Sequence, residues 1–224
     1  MKLLALDTAA SRCSAALWLE GALTERDAPA ERVQAENVLP MVEELLAGAG
    51  LKLQDMDAIA FGRGPGAFTG LRVAAAVAQG LAFGTGLPVV PVSNLEALAA
   101  AAHRRHGARQ VLACLDARMQ EVYWAAFAVD SGSLMRLTGE ALGLPGEINP
   151  PPGRSWFGAG SGWGAYGGTL KARVSSLEGV DAELTATAGD IARQAEKAFK
   201  QGMALPPERA QPVYLRDKVA TPKL

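Results

Sequence analysis

A strand that ends in aspartate, a short polar turn and a second strand occur twice in this chain. Leu3-Leu4-Ala5-Leu6-Asp7-Thr8 followed by Ser14-Ala15-Ala16-Leu17-Trp18 is matched by Val111-Leu112-Ala113-Cys114-Leu115-Asp116-Ala117-Arg118 followed by Val122-Tyr123-Trp124-Ala125-Ala126-Phe127. Residue identity between the two copies is faint, but the element order is shared, and duplication is a strong fold signal. In the first half a third strand, 22–28, completes a meander. Helix 35–47 follows, then an apolar run at 58–61, an alanine-rich helix at 73–83, a strand at 89–92 and a helix at 95–103 behind the cap Ser93-Asn94. The second half shows a third strand over 133–142, a Pro/Gly-rich loop at 145–153, a strand at 155–159 and helices at 165–172 and 187–201.

This order, a meander followed by crossovers, argues against a Rossmann chain, whose first strand feeds a helix at once. It predicts an α/β protein of two ribonuclease-H-like, actin-like lobes, each with a mixed sheet and helices, the second lobe degenerate. The division is expected between 103 and 108. Residues 1–105 make the N-terminal lobe and 106–224 the C-terminal lobe, with the last segment returning to the first.

Composition narrows the classes. The 224 residues are 49% apolar, carry a net charge of −1 and include two cysteines, Cys13 and Cys114, both in apolar strand-like runs. With a pI near 6.2, nothing advertises a nucleic-acid surface. No signal peptide and no apolar run of membrane-spanning length is evident, so a cytoplasmic protein with reduced core thiols and no membrane contact is expected.

The segment Gly62-Arg63-Gly64-Pro65-Gly66-Ala67 formally fits a dinucleotide fingerprint. Pro65 removes an amide donor, and the next strand ends in Ser93-Asn94 without an acidic ribose partner. No Gly-Lys-Ser/Thr follows, so a Walker loop is absent as well. In a two-lobed actin-like protein, phosphates would lie between the hairpins, near Asp7, Thr8 and Ser11 and near Asp116. Asp7 and Asp116 then either hold Mg²⁺ or end strands and satisfy turn amides, and the second role is favoured because Arg118 and Met119 stand where glycines would be needed. His103 and His106 read as a solvated helix end flanked by arginines rather than a metal pair. No hydrolase triad or zinc motif is present.

Two helices are too apolar for a single buried face. Val73, Val77 and Leu81 fall on one side of the alanine-rich helix, and Gly70, Ala74, Ala78 and Ala82 on another at four-residue steps. A protein–protein interface is expected, built from Val38, Met41, Val42, Leu45, Val73, Ala74, Val77 and Leu81.

Four stretches carry a resemblance to a known family: Leu3-Leu4-Ala5-Leu6-Asp7-Thr8-Ala9, Gly64-Pro65-Gly66-Ala67-Phe68-Thr69-Gly70-Leu71-Arg72, Asp116-Ala117-Arg118-Met119-Gln120-Glu121-Val122-Tyr123-Trp124 and Pro212-Val213-Tyr214-Leu215-Arg216. The chain resembles the TsaB (YeaZ) family of bacterial tRNA-modification proteins, paralogues of TsaD. The resemblance implies an actin-like fold and a non-catalytic role as the partner TsaD requires to transfer threonylcarbamoyl to the adenosine beside the anticodon. In that pathway TsaC makes the activated adenylate and TsaE is an ATPase. Where TsaD carries two metal-binding histidines, this chain has Asn94 and Leu98. The resemblance further implies pairing with TsaD through the first two helices, contact with TsaE, a homodimer when alone, and tRNA contact only through the complex. No cofactor is required, with ATP or ADP and Mg²⁺ held weakly at a complex interface. An autonomous actin-like ATPase or kinase using Asp7 and Asp116 is the alternative; a glycoprotease-like peptidase is weaker.

Overall fold

The computed structural model describes residues 1–10, 12–29 and 34–216, with the backbone alone at 34–36. Its first sheet is organised by β1 (Lys2–Asp7), whose residues are buried on both faces after Lys2. β2 (Arg12–Leu19) and β3 (Ala22–Pro29) extend it antiparallel on one side. β4 (Ala58–Gly64) and β5 (Val89–Ser93) extend it parallel on the other, giving the order β3-β2-β1-β4-β5. Between them come α1 (Gln34–Ala49), which accommodates Pro40, and α2 (Phe68–Thr85), closed by Gly86 at φ 73°. α3 (Asn94–His106) follows β5, and the Ser93 hydroxyl caps it by accepting from Glu96 N at 3.2 Å.

The second sheet repeats the plan. β6 (Gln110–Asp116) pairs antiparallel with β7 (Val122–Asp130), and β7 with β8 (Ser133–Arg136). β10 (Ser155–Ala159) and β11 (Ser176–Asp181) lie parallel on the far side of β6. The order β8-β7-β6-β10-β11 is that of the first sheet, strand for strand. Both sheets are thus ribonuclease-H-like, and the pair defines a two-lobed, actin-like α/β protein.

Two details differ from the sequence reading. The strand expected over 133–142 is interrupted: β8 ends at Arg136, Thr138 Oγ1 takes the Ala126 amide at 2.9 Å, and β9 (Ala141–Gly143) resumes pairing with β7. β11 escaped the sequence reading because it is a polar edge strand with Gly179 inside it. The degeneracy of the second lobe lies between β9 and β10. Where the first lobe inserts α1, this lobe has Pro145, Pro150, Pro151 and Pro152, which cannot continue a helix.

α4 (Ser161–Lys171) crosses from β10 to β11, and α5 (Ala188–Lys200) follows, its Thr187–Asp190 capping box closing the first turn. The last helix of each half is exchanged: α3 packs chiefly on β6, β7 and β10, and α5 on β1, β2, β4 and β5. One core therefore joins Leu3, Ala5, Leu98, Val111, Phe127 and Ile191. α1 and α2 cover the outer face of the first sheet, α4 that of the second. After α5 the chain returns to the first sheet. Leu205 bridges Val89, and Val213 N donates to Arg63 O at 2.8 Å.

Candidate functional site

The two Asp-ending strands reach one interlobe cleft of about 660 Å³, whose wall includes Pro65, Phe68, Leu71, Leu98, Leu115 and Met119. Asp7 itself is fully buried behind it. Its Oδ1 accepts from Ala9 N at 3.1 Å and Asn94 Nδ2 at 3.0 Å, while Asn94 Oδ1 accepts from Gly64 N at 2.8 Å. Asn94 thus ties the strand end to the glycine loop. Burial pushes the Asp7 carboxyl up to about 6, against the lowering effect of those two hydrogen bonds. A Cβ on Gly62 would lie 2.6 Å from Asp7 Oδ1, so only glycine lets β4 pass.

Thr8 is equally enclosed, its hydroxyl donating to Gly70 O at 2.6 Å. At Gly70 a Cβ would meet Thr8 O at 1.9 Å, which shows how tightly α2 presses on the first turn. These contacts correct the expectation that Asp7 and Thr8 present a phosphate or Mg²⁺ cradle: both face inward, and the glycine loop covers them. Ser11, named with them, lies outside the described residues.

Asp116 serves its own turn. Its Oδ1 accepts from Arg118 N at 2.8 Å, and its N–H donates to Ser161 Oγ at 3.1 Å. Arg118, Met119 and Gln120 have φ of 61°, 55° and 63°, a left-handed turn without glycine. The second hairpin therefore closes on itself, Ala117 N donating to Glu121 O and Glu121 N to Arg118 O, each at 3.0 Å. The histidines lie where expected, in the last turn of α3 with Arg104, Arg105 and His106 exposed; His106 Nε2 lies 2.8 Å from Asp181 and its ring stacks on Phe157, while His103 Nδ1 lies 2.9 Å from Ala108 O. Among the described residues no group of three or more His, Cys, Asp or Glu is placed to hold a metal.

Polar links that the sequence did not suggest bind the lobes around the cleft. Arg63 meets Glu140 at 3.0 Å, and Glu140 also meets Arg136 at 3.3 Å. Residues 213–216 cross from the start of α2 to the β6–β7 turn. Tyr214 accepts from Arg72 Nε at 3.1 Å, and Arg216 pairs with Glu121 at 2.6 Å and donates to Ala117 O at 3.0 Å. Each partner is remote in sequence, so no local pattern could have found it.

The expected partner surface divides in two. Val38, Val42, Leu45 and Ala74 are buried in the chain's own core against Leu4, Leu17 and Phe61, and they are not available to a partner. This corrects their assignment: the small ridge Gly70, Ala74, Ala78 and Ala82 lets α2 approach its own sheet rather than a foreign helix. Met41, Val73, Val77 and Leu81 are half-buried along the junction of α1 and α2. Outside them lies an exposed ridge on α2, Ala76, Gly80 and Gly84, with Phe83 beside it 57% exposed; on α1, Leu39 is 42% exposed.

Fold and site together define a two-lobed α/β protein whose strand-end aspartates accept from the amides of their own turns. The family model for TsaD, a tRNA N6-adenosine threonylcarbamoyltransferase, matches residues 28–220. TsaB, a tRNA threonylcarbamoyladenosine biosynthesis protein of Escherichia coli, is 40% identical over all of this chain and 98% of its own, and the Haemophilus influenzae protein of the same name is 40% identical over 97% of its length. YeaZ from Pseudomonas aeruginosa, a solved structure, superposes with a TM-score of 0.90 at 44% identity over 96% of this chain and 99% of its own. The chain belongs to the TsaB (YeaZ) family of tRNA threonylcarbamoyladenosine biosynthesis proteins. No helix among the described residues is long and apolar enough to cross a membrane.

Proposed function

We propose that this chain is the non-catalytic subunit that TsaD requires for threonylcarbamoyl transfer to tRNA, and that it docks through the outer ridge of α1 and α2. One observation carries the reading: apolar and small side chains stay uncovered where the inner face of the same helices already fills the core. Ala76, Gly80 and Gly84 recur every four residues on the exposed side of α2, with Phe83 beside them. Small residues at that spacing admit a second helix at close range, and a shared face of this kind also serves a homodimer when TsaD is absent. Met41, Val73, Val77 and Leu81 supply the half-buried floor.

Asn94, where a TsaD ligand would stand, is spent on Gly64 and Asp7, and Leu98 is a buried hydrocarbon in the cleft wall. An autonomous kinase would need Asp7 facing a phosphate, and Asp7 is enclosed. No bound nucleotide is required by this chain. Any ATP or ADP with Mg²⁺ is held at a junction with TsaD and TsaE, and tRNA is met through the complex.

The test is co-purification with TsaD using Ala76→Arg and Phe83→Glu. Both positions are exposed, so the fold should survive while the complex is lost. Retention of both variants on TsaD would refute this docking face.

A further inference from the structure

Away from the interlobe cleft, a second cavity of about 240 Å³ opens between α3 and α5. Its wall includes Trp18 on β2, Arg104 on α3, Leu134 on β8, and Arg193 and Lys197 on α5. The charges there are unevenly committed. Arg104 is bound to Asp190 at 2.6 Å, and Glu196 is taken by Lys200 at 3.0 Å. Among the described residues neither Arg193 nor Lys197 closes an ion pair, and the Lys197 charge acts on Glu96 only at longer range.

The Arg193 guanidinium instead lies over the Trp18 ring, 5.1 Å from its centroid. Trp18 is only 7% exposed. Its Nε1–H and the Arg193 Nε–H are both buried without an acceptor. Burial raises the Glu196 carboxyl, but Lys200 outweighs it and holds it low; Glu196 also approaches the Trp18 indole without closing a hydrogen bond to Nε1.

A buried N–H without an acceptor is costly, and native structures keep such groups where water, an ion or a ligand supplies one. Two of them beside two unspent cations call for a ligand that only accepts. A metal ion would be repelled, and a neutral molecule would leave both charges unanswered. We propose that the cavity between α3 and α5 binds a small oxyanion, a carboxylate or a phosphate, through Trp18 Nε1, Arg193 and Lys197. α5 lies on the first sheet and α3 on the second, so an anion held there fastens the lobes together on the side away from the cleft.

The experiment is thermal unfolding of the full chain in sodium phosphate or sodium isobutyrate, each against sodium chloride of equal ionic strength, with tryptophan emission followed in parallel. The midpoint should rise saturably with one or both oxyanions. Arg193→Met, which keeps bulk over the indole, should weaken binding about tenfold or more. Lys197→Gln, at an exposed position, should weaken it by a smaller factor and decides the matter if the first variant fails to fold. A response to phosphate alone assigns an inorganic ion. A larger response to isobutyrate assigns an organic acid packed on Leu134. A response no greater than that to chloride, or one unchanged in the folded variants, overturns the proposal.

Discussion

The side-chain amide of Asn94 donates to Oδ1 of Asp7 at 3.0 Å, joining the end of the first strand to the first residue of a helix that packs on the other sheet. A carboxylate serving a phosphate from this strand end would have to face the cleft. Here Asn94 and the glycine loop seal it in.

The sealing has a pH signature. The Asp7 carboxyl is raised from 3.8 to about 6, so the folded chain holds its proton more tightly than the unfolded chain does. Its contribution is full below pH ~4 and is lost as pH rises through ~6, a change of about 3 kcal/mol at most. Asp7→Asn should flatten the stability difference between pH 4.5 and 7.5 by about 2 kcal/mol, since part of the effect lies below pH 4.5. Urea unfolding at both pH values measures it; an unchanged slope would show that Asp7 is not enclosed.

Gly70 is buried on α2 and Gly80 is exposed, and the two should respond in opposite directions. Helix propensity alone favours alanine at either by about 1 kcal/mol. A Cβ at Gly80 meets nothing within 4 Å, so Gly80→Ala should be stabilising. At Gly70 it would lie 1.9 Å from Thr8 O, and the overlap should outweigh propensity, with a net loss of about 3 kcal/mol. Paired melting curves check the contrast.

Much of this was legible in the chain. The Asp-ending hairpins, Leu3 to Trp18 and Val111 to Phe127, announced the duplicated sheets because buried central strands write their burial as continuous apolar runs. The exchange of α3 and α5 was not, since each apolar face fits either sheet equally well by pattern. The direction of α2 was misread for a similar reason. Ala74 and Ala76 look alike in sequence, yet one touches the core and the other faces outward. Enclosure of Asp7 and Thr8 depended on Gly70 and Asn94, residues 62 and 87 positions away, and no spacing rule reports that.

Glu140 is a buried charge that depends on its partners. Its side chain is 5% exposed, and it leans on Arg63 and Arg136. Arg63→Met leaves it with one cation and should cost about 2 kcal/mol, less than a fully orphaned buried charge. Arg63→Met with Glu140→Gln should recover part of that loss in a double-mutant cycle.

The crossing segment near the C-terminus should loosen as a unit. Arg216→Ala removes the pair to Glu121 and the bond to Ala117 O. Hydrogen exchange at the Val213 amide, which donates to Arg63 O at 2.8 Å, should then speed up by about tenfold or more.

Everything functional rests on α2 having two employed faces, one turned to its own sheet and one reserved for a partner. The most direct measurement is threonylcarbamoyl transfer to tRNA in a reconstituted mixture with TsaD, using Gly80→Arg, whose side chain enters open space in the isolated chain. The account predicts a melting temperature no lower than that of the parent chain, no stable complex with TsaD and loss of the modification. A variant that still binds TsaD and supports full modification would contradict it.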